Sequence, residues 1–266
     1  VISRFQAYFL DSRPDHPSIT TRSFVMNTQR AFVTMARPIL RFTLACGVAG
    51  FLAVMPALAQ VGPNATEVAA YTGLHAAAWR GDLAGMERLI AGKADLNARD
   101  RHGRTPVHVA TFARQPEAIR LLARAGAKLE LLENDRYDGV TIAAVANDEN
   151  TLRLLLSLGA SAGLTTSRYD GTALIAAAHL GHAGVVRQLI AARAPLDHVN
   201  NLHWTALIES IVLGDGGARH VDTLRALVGA GASTALTDRE GNTPLRLARA
   251  RGYTQMIRIL EAAGAK

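Results

Sequence analysis

The sequence predicts an all-α solenoid of about six helix-turn-helix repeats with β-turn fingers, and three observations predict it. A short motif, Lys93-Ala94, Gly126-Ala127, Gly159-Ala160, Arg193-Ala194, Gly231-Ala232 and Gly264-Ala265, recurs at intervals of 33, 33, 34, 38 and 33 residues. A row of threonines, Thr72, Thr105, Thr141, Thr172, Thr205 and Thr243, recurs at 33, 36, 31, 33 and 38. The composition is 49% hydrophobic but only 5% aromatic, which suits a stack of alanine- and leucine-rich helices. A period near 33 held over six copies is the signature of a repeat array, in which each unit buries its apolar face against its neighbours.

Taken in order, the chain opens with residues 1–29, which have no apolar periodicity and carry Pro14 and Pro17. They read as a disordered leader or as sequence upstream of the true start, for which Met26 and Met35 both qualify. Residues 30–59 read as a signal peptide. Arg30, Arg37 and Arg41 form its basic end, 42–55 is an uncharged apolar run, and Ala57-Leu58-Ala59 precedes Gln60 as a small-x-small cleavage site. A run of 14 residues is short of the ~20 that span a bilayer. Export to the periplasm of a Gram-negative bacterium is therefore expected, with retention at the inner membrane as the alternative. Cys46 is the only cysteine and leaves with the signal, so no intrachain disulfide forms.

Residues 60–266 hold the repeats, at approximately 65–100, 101–134, 135–166, 167–200, 201–238 and 239–266. The fourth is the clearest. Its Thr172 is placed to cap a first helix, Ala176 to Ala178 are small enough for close helix approach, and Gly181 permits the turn. Val185, Val186, Leu189 and Ile190 then give the second helix one apolar face. With Thr105-Pro106-Val107-His108 in the second repeat and Thr243-Pro244-Leu245 in the sixth, this unit resembles the ankyrin repeat, a β-turn and two antiparallel helices with a Thr-Pro-Leu-His signature. The resemblance covers roughly 200 of the 266 residues.

The two recurring rows disagree around Thr141, which places the length variation of the third repeat in the turn before it. The fifth repeat is long because residues 215–220 widen the link between its helices. Gly at four of the six places ending the second helices is what a left-handed cap asks for, and Lys93 and Arg193 should cost stability there. Arg246, Arg249, Arg251 and Arg258 are expected to solvate the last repeat.

The formal charge of +7 points first to nucleic acid or membrane, but six basic and two acidic residues precede Gln60. The remainder carries 23 basic against 20 acidic residues, an ordinary balance, so no nucleic-acid partner is expected. No phosphate loop, dinucleotide fingerprint, Gly-x-Ser-x-Gly or His-Glu-x-x-His occurs, and no catalytic site, cofactor or metal is expected. His179 and His182 lack a third ligand by sequence, and His75 and His108 match the structural histidine of the signature. Asp148, Glu149 and His179 are the only polar residues that could converge in a groove, as the alternative reading of a small-ligand-binding protein requires.

What the resemblance implies is a binding surface for a protein partner on a monomeric scaffold, the membrane being met only through the signal. Its tips carry Arg101-His102, Arg136-Tyr137, Arg168-Tyr169, Asn201-Leu202 with Trp204, and Arg239-Glu240. Arg-Tyr-Asp-Gly occurs twice, at 136–139 and 168–171. With tips on the order of 10 Å apart, Arg136, Tyr137, Arg168, Tyr169 and Trp204 would form one patch of the residue types that dominate interfaces. The ends of the first helices read Trp79-Arg80, Phe112-Ala113, Asp148-Glu149, His179-Leu180, Val212-Leu213 and Ala250-Arg251. Trp79 and Phe112 are the second candidate anchor.

Overall fold

The computed structural model describes residues 61–266, so the expected leader at 1–29, the expected signal peptide at 30–59 and Cys46 lie outside the described residues. A short helix, α1 (Ala65–Ala70), precedes six helix pairs. These are α2 (Gly73–Arg80) with α3 (Leu83–Ala91), α4 (Pro106–Phe112) with α5 (Pro116–Arg124), and α6 (Gly139–Val145) with α7 (Glu149–Ser157). They continue as α8 (Ala173–Leu180) with α9 (Ala183–Ala191), α10 (Ala206–Val212) with α11 (Ala218–Gly229), and α12 (Pro244–Arg251) with α13 (Thr254–Ala262). Among the described residues the only β-pairing is an isolated bridge between Thr166 and Gly171.

Each first helix begins at a threonine or an aspartate, and in the last four repeats that side chain takes an orphan amide of the first turn. Thr172 Oγ1 accepts from Ile175 N at 3.3 Å, Thr205 Oγ1 from Ile208 N at 3.2 Å and Thr243 Oγ1 from Arg246 N at 3.3 Å. In the third repeat the cap is Asp138, whose Oδ1 accepts from Thr141 N at 2.9 Å. This corrects the threonine row by three residues: with Asp138 in it the intervals become 33, 33, 34, 33 and 38, and no extra length remains before α6. Thr141 stands instead where the first two repeats place His75 and His108. Its hydroxyl reaches Thr166 Oγ1 at 3.3 Å, as His75 Nε2 donates to the Arg104 carbonyl at 2.8 Å and His108 Nε2 to that of Tyr137 at 3.1 Å.

A row that the sequence reading missed builds the fingers. Asp100, Glu133, Ser167, Asn200 and Asp238 open successive tips, and each side-chain oxygen accepts amides two or four residues on. Asp100 Oδ1 takes His102 N and Arg104 N at 2.8 Å, and Asn200 Oδ1 takes Leu202 N and Trp204 N at 3.0 Å. These Asx-type turns fix the finger without a strand ladder. Neighbouring fingers are then tied by backbone bonds, Asn134 N to His102 O and Asn201 N to Tyr169 O, both 2.9 Å.

The residues ending the second helices lie in the left-handed region as expected, Gly126 at φ 95°, Gly159 at 94° and Gly231 at 91°, with Lys93 and Arg193 forced to 61°. The insertion in the fifth repeat behaves differently from the expectation of a loop. Its last three residues are helical, so α11 runs 12 residues against nine in α9, and only residues 213–217 form the link. His220 turns its ring into this link, Nδ1 on Asp215 Oδ1 at 2.8 Å and Nε2 on the His179 carbonyl at 2.9 Å.

One continuous core runs through the stack, with Met86, Ile119, Leu122, Leu152, Leu155, Leu189, Leu224 and Leu260 fully buried. At the first four junctions neighbouring first helices approach one another more closely than neighbouring second helices do. The first helices and the fingers therefore line the inner side, and Arg187 of α9 is exposed on the outer row.

Candidate protein-binding surface

The corrected register changes the row at the ends of the first helices. In the third repeat it is Val145-Ala146, not Asp148-Glu149, because α6 ends at Val145. Trp79, Phe112, Val145, His179 and Val212 then occupy the same place in five successive repeats, and all five are half-buried. Leu180 and Leu213 follow them in the same state. Asp148 instead caps α7, accepting from Thr151 N at 3.1 Å and facing Arg114 at 3.6 Å.

The tips are less open than their composition suggests. Trp204 is only 7% exposed and belongs to the core, so it does not join the tip patch. The two Arg-Tyr-Asp-Gly copies fall in different registers. Arg136 is the left-handed fourth residue of its finger, at φ 65°, where Gly103 and Gly241 stand in others. Arg168 is the second residue of the next finger. Arg136 and Arg168 are exposed, yet Arg136 Nη1 lies 2.7 Å from Asp170 Oδ1 and Arg168 Nη2 lies 3.7 Å from Asp135 Oδ1. Tyr137 and Tyr169, next in sequence to these two arginines, are half-buried. Exposed pairs of this kind stabilise by ~1 kcal/mol or less and leave the guanidinium planes available for stacking.

Two features interrupt the inner row. At the fifth repeat Glu209 is 5% exposed, with Oε1 accepting from Asn200 Nδ2 at 2.9 Å and Oε2 lying 3.5 Å from His179 Nδ1. Burial pushes the Glu209 carboxyl up to about 8 and the His179 imidazole down to about 4, so both are neutral near pH 7. At the other end Arg104, itself 4% exposed, lies over the Phe112 ring at 5.7 Å and pairs with Glu67 at 2.8 Å. Glu67 also meets Arg101 at 2.9 Å, and hydrogen bonds from Arg104 and Arg101 hold its carboxyl down at about 2.

The polar residues proposed to converge do not share a partner. Asp148 caps α7, Glu149 accepts from Gln188 at 3.0 Å, and His179 faces Glu209. His182 Nδ1 is held by the Ala144 carbonyl at 3.0 Å, which ties one turn to the preceding first helix. Among the described residues no three of His, Cys, Asp and Glu gather as a metal site, and no helix is long and apolar enough to cross a membrane. An open crevice of about 610 Å³ between α5 and α7 contains Arg114, Arg120 and Arg153. Asp148, Glu117 and Asn150 respectively lie 3.6, 3.4 and 3.2 Å from them.

Comparison with known proteins agrees with the repeat geometry. Family models described as ankyrin repeats match residues 140–238 and 58–110. YahD of Escherichia coli K12, described as an ankyrin repeat protein, is 34% identical over 190 residues, which is 71% of this chain and 94% of that one. A solved ankyrin repeat domain from Acinetobacter baumannii AYE is 41% identical with a TM-score of 0.69, covering 73% of this chain and 98% of its own. The ankyrin repeat domain of Bcl-3 is 26% identical with a TM-score of 0.66, covering 74% and 88%.

Proposed function

This chain belongs to the ankyrin-repeat family, and on that premise we propose that it is a non-catalytic scaffold that binds another protein through the inner surface of the stack. The observation that carries the reading is the row of Trp79, Phe112, Val145, His179 and Val212, apolar or neutral side chains left half-buried in five consecutive repeats. Exposed apolar area rimmed by polar residues is the ordinary mark of an interaction site, and this row supplies it apart from the interruptions by Arg104 at Phe112 and by Glu209 at His179. Tyr137 and Tyr169 with Arg136 and Arg168 supply a rim of the residue types that most often dominate binding energy. The scaffold acts after export through residues 30–59, in the periplasm, as a monomer with no cofactor and no nucleic acid.

Site-specific photo-crosslinking in the native host tests the surface. Probes at positions 137 and 169 are expected to give a discrete adduct that a probe at the exposed outer position 187 does not. Adducts equal at all three positions, or none from a folded and exported chain, would overturn the reading. The mass of the exported protein checks the location: a chain beginning at Gln60 fits a periplasmic scaffold, and one retaining 42–55 would make it a membrane-tethered adaptor.

A further inference from the structure

The Phe112 position of the inner row is already covered, and by this chain itself. Arg104 Nη2 donates to the main-chain carbonyl of Val61 at 3.0 Å. The next residue, Gly62, packs against the Phe112 ring, where a Cβ would come within 3.2 Å of Cδ1 and 3.5 Å of Cε1, so that a side chain there requires the ring to yield by a few tenths of an ångström. Pro63 then leads into α1, whose start is fixed by a capping box of Asn64 and Glu67 at 3.0 and 3.2 Å. The segment is thus held by one main-chain acceptor, one side-chain-free contact and a stiff imino acid.

The chemistry of the subsite selects for that form of ligand. The positive charge of Arg104 is neutralised by Glu67 at 2.8 Å and by Asp100 at 3.7 Å, so its Nη2–H donor suits a neutral carbonyl rather than a carboxylate. The Phe112 ring favours a residue without a side chain, since a Cβ would crowd its Cδ1 at 3.2 Å. Val61 is 64% exposed, so its side chain contributes little to the seat. Beyond the subsite the inner row continues through Val145, His179 and Val212, which are half-buried like Phe112.

We propose that the Arg104/Phe112 subsite recognises an extended, glycine- and proline-bearing segment of a partner through its main chain, and that Val61-Gly62-Pro63 is a tethered occupant with which that partner segment competes. The proposal rests on the inner-surface reading above and names the partner's binding form. A tether this short presents its segment at an effective concentration in the millimolar range. A partner segment that also engages Val145, His179 and Val212 displaces it by adding contacts the tether lacks.

The test uses the full chain carrying Gly62→Leu, whose side chain crowds the Phe112 ring, and a blocked Val-Gly-Pro-Asn peptide as probe. Phe112 ring signals are followed by NMR, and hydrogen exchange at residues 61–64 reports whether the native segment has left. The expected result is a released segment in Gly62→Leu and a saturable ring shift with peptide at millimolar concentration. The wild type should respond at least about tenfold more weakly, because its own segment competes. A Val-Leu-Pro-Asn peptide should not bind. A native segment that stays seated despite Gly62→Leu overturns the proposal, since its glycine requirement would be false. Release without peptide binding, or equal response to both peptides, overturns it as well. Adducts from positions 137 and 169 alongside either negative result would leave the inner-surface scaffold standing and remove this subsite from it.

Discussion

Arg193 shows how one side chain can be made to occupy a place that geometry reserves for glycine. It ends α9 at φ 61°, where Gly159 and Gly231 end α7 and α11 at 94° and 91°. A residue with a Cβ is disfavoured in this region by about 1–2 kcal/mol, partly offset by the greater unfolded-state entropy of glycine. Arg193→Gly is therefore expected to stabilise the protein by about 0.5–1 kcal/mol, a rise of roughly 2–4 °C per kcal/mol in a domain of this size. Gly159→Ala should lower stability by a similar amount, since a Cβ there meets nothing within 4 Å and only the backbone conformation opposes it. Differential scanning calorimetry of the two variants checks both signs, and a stabilising Gly159→Ala would refute the backbone account.

The same scale shows what was legible in the sequence. The rows of capping residues and C-terminal glycines could be read because their chemistry and interval both repeat. Asp138 was missed because Thr141, three residues on, looks like a better cap, and because aspartate and threonine perform the same task there. The acceptors that open each finger were missed although their interval holds, because Asp100, Glu133, Ser167, Asn200 and Asp238 share an oxygen and little else. The doubled Arg-Tyr-Asp-Gly drew the eye, yet its two copies are offset by two places in the finger. Trp204 was read as a surface anchor because a tryptophan at a tip says nothing of which way it turns. Gly62 on Phe112 joins residues fifty apart and left no local trace.

At the scale of elements, α8, α10 and the finger before α10 meet around a carboxyl with no obvious structural need for it. Asn200 is the one amide in a row that elsewhere uses Asp, Glu or Ser, and its Nδ2 is what satisfies Glu209 Oε1 at 2.9 Å. A carboxylate there would face Glu209 across the same gap. The groups around Glu209 are Asn200, His179 at 3.5 Å and, through the His179 carbonyl, His220 with Asp215. The Glu209 carboxyl binds its proton more tightly in the folded protein, near 8, than at its ordinary 4.5. Its contribution to stability is thus fully present below about pH 4.5 and is lost as pH rises toward 8, with a slope of at most about 1.4 kcal/mol per unit. Glu209→Gln keeps the neutral shape and removes the proton, so it should match the wild type near pH 5 and exceed it in urea stability by about 1–3 kcal/mol at pH 8. A variant less stable than wild type at every pH would mean that an ionised Glu209 pairs with a protonated His179.

On the scale of the described stack, helix packing runs between neighbouring repeats, so a repeat packed on one side only is held by other contacts. At one end α1 replaces a finger and Glu67 pins it with three basic partners, Arg101, His102 and Arg104, at 2.8–2.9 Å. At the other, Arg246, Arg249, Arg251 and Arg258 are all exposed, and Arg249 meets Glu261 at 2.6 Å. The sixth repeat is also bound to the fifth by directed contacts: Tyr253 Oη donates to the Gly214 carbonyl at 2.8 Å, and Arg251 and Arg239 donate to those of Val212 and Asn201 at 2.9 Å. Ending the chain at Ala235 removes α12, α13 and these three bonds, and it uncovers the side of α10 and α11 on which they pack. Because a solenoid's stability is a sum of repeat terms and interface terms, that chain should lose one interface outright and present an apolar surface to solvent. Aggregation on expression, or a urea midpoint well below that of the full stack, is the expected outcome. Fewer losses are expected when exposed arginines are placed on α10 and α11 at the positions matching those of α12 and α13. A truncated chain that stays monomeric, with an unchanged midpoint, would mean that the sixth pair docks on the fifth without completing its core.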